Sequence, residues 1–551
     1  MAKYVFGIDL GTTYSCISYV DETGRATVVN NAEGTNTTPS VVNFASPNQD
    51  VVGQVAKENA VIDPNNTISL VKTLMGKSDF AINYNGEDKS PEEVSAYILR
   101  KVAEDAGKQL DTEVKDVVIT CPAYFGTAER TATKNAGIIA GLNVLEIISE
   151  PTAAAMAYGI ENMEKYQKIL VYDFGGGTFD VSILELDDGI LDVIATSGDN
   201  YLGGKDIDEI LIKNISAKIK NDVEKIKLKL EVEEAKKRLS TLMGTDIIVP
   251  ELNIDYELKR EKFEELISPL VNKTIDFIDK ALSSTKLKRE DINVVLLVGG
   301  TTRIPLVQET LKKIFGSKVK KFTDPQEAVA LGAGVQAGIK SSEISSEDGL
   351  IITDICNYSL GVASIGEYQG IIMPDTFSVI IPKNSNLPCT KSDTYCTAVD
   401  DQTSVNIKVY QGENKLVYEN LFLSEFRVEG IPKNKAGAEA IEITFGYNIN
   451  DILTVEAKIL STGVTKSIKI ELNNKNKENS DKKGSTYKNS SYYSDYKIIM
   501  EMAEDKMSKL SETNREKVSN LLEKMKEMLV SENKEELDKL DSTLTDLLFE
   551  V

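Results

Sequence analysis

The stretch Gly7-Ile8-Asp9-Leu10-Gly11-Thr12-Thr13-Tyr14-Ser15-Cys16-Ile17-Ser18 recurs as Val171-Tyr172-Asp173-Phe174-Gly175-Gly176-Gly177-Thr178-Phe179-Asp180-Val181-Ser182. Each copy reads as an apolar strand ending on an aspartate, a Gly/Thr turn, and a second strand. Glycine lacks a Cβ, so backbone N–H groups in such a turn can close on an anion, and threonine hydroxyls add donors. An aspartate beside a phosphate makes sense only with a cation between them. Magnesium fits, because it binds through few carboxylates and keeps several waters. One copy alone reads most simply as a tight hairpin. Two matched copies point to two related lobes that hold a magnesium-bound phosphate tail from both sides. The turns are not a P-loop: Gly76-Lys77-Ser78 carries that motif's ending, but Val71 stands where its first glycine belongs. Nor do they match the dinucleotide fingerprint. A third turn, Gly299-Gly300-Thr301-Thr302-Arg303, follows the apolar run Val294–Val298 and precedes a helical pattern. That placement suits contact with a nucleoside or a phosphate.

Outward from these turns, residues 1–343 alternate strand-like runs such as Val117-Val118-Ile119 with helical patterns over 128–140 and 304–315, as an α/β domain does. Residues 344–354 read as a linker carrying an isolated apolar patch, Leu350-Ile351-Ile352, and such a patch in a linker marks a docking segment. From 355 to 473 the pattern becomes period-two alternation with turn signals, an all-β module. Residues 474–494 are polar and low in complexity and read as a flexible connection. Over 495–551, Val518, Leu521, Leu522, Met525 and Met528 fall at helical spacing, a stripe that reads first as helix-packing surface.

Bulk properties narrow the functional classes. A chain of 551 residues exceeds one core, and 41% apolar with 27% charged residues is the balance of a soluble globular protein. A net charge of −23 argues against nucleic acid or an anionic membrane as the main partner. Histidine is absent, which excludes imidazole acid–base chemistry. The five cysteines are scattered and odd in number, against a disulfide framework. With no signal-like start and no apolar run of about 18–20 residues, a cytoplasmic location is expected.

Several long segments together resemble the seventy-kilodalton heat-shock (DnaK-type) chaperone family, whose nucleotide domain shares the fold of actin and hexokinase. They are Gly7 to Ser15, Cys121-Pro122-Ala123-Tyr124-Phe125, Ala140 to Val144, Glu150-Pro151-Thr152-Ala153-Ala154-Ala155, Asp173 to Asp180, Leu202-Gly203-Gly204, Val298 to Pro305, Glu327 to Ala330 and Gln411-Gly412-Glu413. The resemblance implies an actin-like two-lobed ATPase domain, a β-sandwich peptide-binding domain and a short helical lid. It implies ATP/ADP and Mg as cofactors, unfolded apolar polypeptide as client, and a J-domain co-chaperone and a nucleotide exchange factor as partners. By residue, it implies that Asp9, Asp173 and Asp180 hold Mg largely through water, and that Lys72, Glu150 and Thr178 act with Asp9 and Asp173 in hydrolysis. Gly11, Thr12, Thr13, Tyr14, Gly175, Gly176, Gly177, Gly203 and Gly204 would contact phosphates. Glu233, Lys236, Lys237 and Ser240 on one wall, and Gly299, Gly300 and Arg303 on the other, would enclose the adenosine. Val362, Ile365, Tyr395, Ala398 and Val405 would form the peptide site, although Val405, alternating with Ile407 and Val409, reads from the residues alone as β-core.

The chain also departs from that pattern. Lys237 stands in place of an arginine that stacks on adenine, which implies weaker nucleotide affinity. Lys205 replaces an acidic residue, Gln326 replaces an aspartate, and the segment Asp208 to Pro250 is short. Cys356-Asn357-Tyr358-Ser359-Leu360-Gly361 replaces Thr-Pro-Leu-Ser-Leu-Gly, and a loop at Met373-Pro374-Asp375 reads as enlarged. Together with the short lid, these imply a specialised member with a narrow client set. The competing readings are an ATP-binding holdase or exchange-factor-like relative without significant hydrolysis, and a small-molecule kinase or filament protein on the same fold.

Overall fold

The computed structural model describes residues 4–471, apart from 45–49, 78–80, 85–86, 161, 163–165, 216–218, 220, 323, 345–349, 369 and 449–451; beyond these it describes residue 492 and a set of residues between 496 and 544. The chain divides into two compact units, Met1–Asn473 and Asn474–Val551.

The repeated sequence is a repeated topology. In the first sheet the strands run in the order Asn143–Ser149, Asp116–Cys121, Phe6–Asp9, Tyr14–Val20, Ala26–Val28. The first two pairings are parallel and the next two antiparallel. In the second sheet the order Val319–Lys321, Val294–Val298, Gln167–Phe174, Phe179–Asp187, Ile190–Asp199 repeats the same sequence of senses. Each phosphate-type turn therefore joins the central strand of its sheet to the first antiparallel neighbour. Strands buried on both faces carry the continuous apolar runs read from the sequence, and Val294–Val298 is buried at every position.

Two helices of small residues lie between the sheets. Glu150–Gly159 starts on Ser149, whose hydroxyl accepts from the Thr152 N–H, with Pro151 in its first turn, where a missing N–H costs nothing. Ala328–Ser341 packs against it and against the strands Phe6–Asp9 and Tyr14–Val20. Their approach depends on side chains that are not there: a Cβ on Gly332 would sit 1.6 Å from the Ala153 carbonyl oxygen. The Ser18 hydroxyl then reaches the Ala330 carbonyl at 2.5 Å. One apolar cluster, with Val20, Ile148, Ala153–Met156, Val171, Leu184 and Ala333 among its members, spans strands of both sheets and both helices.

Past the second sheet, Ile351–Ile355 is a strand, paired in parallel with Ile190–Asp199 and antiparallel with Asn386–Leu387. The β-rich region that follows has two four-stranded antiparallel sheets. One contains Ile371–Ile381, Leu360–Tyr368, Ser404–Gln411 and Leu421–Glu429; the other contains Cys389–Cys396, Ala440–Tyr447, Ile452–Ile459 and Thr465–Glu471. They share one core of alternating residues, including Val362, Ile407, Val409, Ile443 and Val455. The expected loop at Met373-Pro374-Asp375 is not a loop. These residues lie within the strand Ile371–Ile381, which is at the edge of its sheet, where a proline removes no ladder bond.

In the second unit, the described residues from 496 to 544 are helical. Val518, Leu522 and Met525 of the expected stripe are buried with Tyr496, Met500, Leu529 and Leu537, and Leu521 and Met528 pack at the margin. The polar tract 474–494 lies outside the described residues except at 492. None of the five cysteines forms a disulfide.

Candidate nucleotide site

The two Gly/Thr turns face each other across a cavity of about 670 Å³. A Cβ on Gly176 would fall 1.7 Å from Thr13 Oγ1, and one on Gly177 2.6 Å from Thr12 Cγ2, so the turns interlock only because both residues are glycine. Gly203 closes the same cradle: its Cβ would lie 2.5 Å from the Gly176 carbonyl group and the Gly177 nitrogen. Every residue that the sequence assigned to catalysis or nucleotide contact lines this cavity except Gly177, Gly203 and Asp180, which pack immediately behind it. Cys16 and Asp208 line it too and were not foreseen; Thr301, of the third turn, also lines it and donates to the Gly175 carbonyl at 2.8 Å, tying that turn to the second.

At the floor, Lys72 enters from the short 3-10 turn Val71–Leu74 and donates to Glu150, the first residue of its helix. Both are buried, Lys72 to 3% exposure. The Phe125 ring lies 5.9 Å from the Lys72 ammonium. Burial alone would lower the Lys72 pKa, but the charges of Glu150 and Asp9 outweigh it and hold the ammonium above its ordinary value. Around this pair stand three aspartates. Asp9, which accepts from Thr120 at 2.8 Å, is pushed up to about 7 by burial and then by the Glu150 charge, with Lys72 opposing. Asp180 is pushed up to about 8 by burial and Glu150, against a hydrogen bond from the Tyr124 N–H. Asp173 is raised well above the carboxylate range by burial, then by Glu150, Asp180 and Asp9.

Lys72 thus faces four acids, and among the described residues Thr13 Oγ1 and Asp180 Oδ1 are buried without a hydrogen-bond partner. A donor-lined glycine cradle above under-compensated carboxylates fits a phosphate chain with a divalent cation. Among the described residues no three carboxylates are grouped closely enough to ligate one ion directly.

The raised aspartates have a measurable consequence. Unfolded, they titrate near 4; folded, Asp9 and Asp180 titrate near 7 and 8. Between these limits the folded chain binds more protons than the unfolded one, so its stability must fall as pH rises from about 4 through about 8. Thermal unfolding of the nucleotide-free protein should show a Tm declining over that window, and Mg-nucleotide should flatten the decline. A Tm that rises with pH there would show that other groups dominate the titration.

The family model described as Hsp70 protein matches residues 5–550. The chain belongs to the Hsp70 family of ATP-dependent chaperones. It is 44% identical to chaperone protein DnaK of Thermosipho melanesiensis over 479 residues, 84% of this chain and 79% of that protein. It is 43% identical to chaperone protein DnaK of Thermotoga neapolitana and 42% to that of Thermotoga maritima, in each case over 485 residues, 85% of this chain and 80% of the relative.

In this Hsp70 chain a cluster of charged residues joins Tyr14 and Glu233, both of which line the cavity. Glu233, on the helix Asp222–Arg238, accepts from Lys57 at 3.0 Å and pairs with Lys237 at 2.9 Å. Both lysines also reach the Tyr14 hydroxyl, at 3.2 and 3.1 Å. Burial would raise Glu233, but Lys57 and Lys237 outweigh it and hold the carboxyl at about 2. Lys237 is therefore committed to Glu233, Glu234 and Tyr14. Lys57 was missed by sequence reading: a lone lysine 176 residues from its partner carries no local signal. Lys236 bonds the Gly204 carbonyl at 3.0 Å and pairs with Asp208 at 2.8 Å, Ser240 lies just past the helix, and Arg303 pairs with Asp324 at 2.5 Å.

The peptide-site residues are less uniform. Val362 is 2% exposed and belongs to the core. Val405 packs partly buried against the same core, as its alternation with Ile407 indicated. Tyr395 is half-buried and donates to Ser378 at 2.9 Å, joining the two sheets, whereas Ile365 and Ala398 are exposed. Of the linker patch, Leu350 is buried at 3% against Gly159 and Leu186, while Ile351 is 60% exposed.

Proposed function

We propose that this protein couples ATP hydrolysis in an actin-like two-lobed domain to the clamping of extended apolar polypeptide by a β-sandwich, with the C-terminal helices acting as a short lid. The observation that carries the reading is the linker. The strand Ile351–Ile355 extends the very sheet that holds the Asp173–Thr178 turn, and Leu350 before it is buried in the adjoining apolar cluster, so the β-rich region is joined to that sheet by continuous secondary structure.

ATP supplies the phosphoanhydride that is broken and Mg the positive charge that lets its phosphates sit among carboxylates. Thr12, Thr13, Thr178 and the backbone N–H groups of 11–13 and 176–177 bind and orient the phosphates, while the Gly175 N–H closes its own turn on the Thr178 carbonyl at 3.1 Å. Asp9, Asp173 and Asp180 would hold the cation through water. Glu150 fixes the Lys72 ammonium, which orients the attacking water and stabilises charge on the transferred group, the kind of positioning on which phosphoryl transfer depends. Glu233, Lys236, Lys237, Ser240, Gly299, Gly300 and Arg303 enclose the nucleoside, and the Lys57–Glu233–Tyr14 contacts limit its escape. The seated linker is the ATP-favoured, open arrangement. Hydrolysis releases the linker and traps peptide, and the coupling is reciprocal in binding terms. Unfolded clients, a J-domain co-chaperone, an exchange factor and a cytoplasmic setting accompany this reading. The described residues contain no helix long and apolar enough to cross a membrane.

Leu350→Asp tests the coupling. Burying the leucine is worth about 1.5–3 kcal/mol, and the aspartate would place a charge in an apolar cluster. The variant should bind ATP and a labelled apolar heptapeptide with near wild-type affinity while ATP no longer accelerates peptide release. Undiminished ATP-driven release would contradict a linker-mediated mechanism.

A further inference from the structure

The loop between the strand Asp116–Cys121 and the helix Thr127–Ile139 touches three places at once. On the nucleotide side, the Phe125 ring stands over Lys72, and the Tyr124 N–H donates to Asp180. On the other side, the same tyrosine is held by the β-rich region. The Tyr358 hydroxyl donates to the Tyr124 carbonyl at 2.9 Å, and the two rings meet edge-on at 5.9 Å. Lys383 donates to the Tyr124 hydroxyl at 3.1 Å and lies 4.7 Å over its ring. The Tyr358 ring also packs beside Gly126, where a Cβ would stand at ordinary contact distance, 3.5 Å, from it.

Tyr358 and Lys383 are not independent surface residues. Ser359, next to Tyr358, receives the Lys383 N–H on its hydroxyl at 3.0 Å and is clamped by Glu413 through its own N–H and hydroxyl, at 2.7 and 3.1 Å. The Gly412 N–H adds a bond to the Ser359 carbonyl at 3.0 Å. The donors that hold Tyr124 therefore move with the β-rich region as one body, while the groups that Tyr124 and Phe125 touch belong to the hydrolytic site.

We propose that Tyr358 is a positioning residue for that site, acting through Tyr124: when the β-rich region is seated, its hydroxyl fixes the 122–125 loop against Asp180 and Lys72. This rests on the function proposed above and adds to the linker a second contact through which peptide and nucleotide sense one another. A contact present only in the seated arrangement stabilises that arrangement, and whatever favours seating must in turn be bound more tightly when the contact exists. One net hydrogen bond corresponds to roughly a five-fold shift in such an equilibrium.

The test compares full-length wild type with Tyr358→Phe, which removes only the hydroxyl, and Tyr358→Ala, which also removes the ring. For each, we would measure single-turnover ATP hydrolysis with and without a labelled apolar heptapeptide, ATP-driven release of that peptide, ADP affinity and Tm. Tyr358→Phe should slow ATP-driven release about five-fold and shrink the peptide stimulation of hydrolysis similarly, with ADP affinity and Tm unchanged; Tyr358→Ala should go further in the same direction. A merely structural role would move ADP affinity and Tm together with the rest, and that outcome would overturn the proposal. So would wild-type release and stimulation in both variants. If the wild-type protein itself shows no ATP-driven peptide release, the functional reading fails, and the positioning role fails with it.

Discussion

Lys72→Ala should leave a folded protein that binds nucleotide and turns it over at least about a thousand-fold more slowly. Lys72 pairs with Glu150 and is the charge that opposes the raised pKa of Asp9, Asp173 and Asp180. Removing a single preorganised group that meets developing charge in a dry site costs roughly 10²–10³ in rate. Here the same change also loses the group that orients the water. Breaking a buried pair by deleting one partner costs about 3–5 kcal/mol when the other stays charged. Single-turnover hydrolysis measured beside thermal unfolding separates the two effects. Turnover within ten-fold of wild type would remove Lys72 from the mechanism.

Gly203→Ala should abolish tight nucleotide binding while sparing most of the fold. Its Cβ would lie 2.5 Å from backbone atoms of Gly176 and Gly177, which cannot rotate away as a flexible side chain could. Either the Asp173–Thr178 turn shifts or the helix Gly204–Ile215 does, and both carry groups that line the cavity. Overpacking of this kind costs about 1–3 kcal/mol, so nucleotide affinity should fall by roughly ten- to a hundred-fold, read by equilibrium titration with ATP and ADP. Unchanged affinity would mean that the cradle opens freely, and that the interlocked turns do not set the phosphate site.

These expectations draw on features of unequal legibility in the sequence. The two turns were visible because everything they need is local: a strand, an aspartate, and glycines where a Cβ would collide. The two related lobes were legible for the same reason, since each copy carries its own strand–turn–strand, whereas the full strand order rests on pairings between distant segments. Lys72 and Glu150 were assigned through family resemblance rather than spacing, because their meeting depends on tertiary structure 78 residues apart. Lys57, Glu233, Lys237 and Tyr14 form a cluster whose members look like ordinary surface residues one by one. Met373-Pro374-Asp375 misled for a physical reason: proline and aspartate signal turns, yet an edge strand tolerates both. Val362 and Ile365 were grouped by resemblance, but a bulge between Ser364 and Gly366 and the alternation of the strand leave one buried and the other in solvent. Tyr358 was noticed only as a departure from the related segment; its partner across the chain, Tyr124, gave no sign of the contact.

The central claim is that the site between the two turns hydrolyses ATP and answers to peptide. The direct measurement is steady-state ATP hydrolysis in Mg by the full chain, with and without an extended apolar heptapeptide, with Lys72→Ala as the blank. The account predicts a slow rate that rises on adding peptide and vanishes in the variant. Tight ATP binding with no hydrolysis above the blank, with or without peptide, would contradict it.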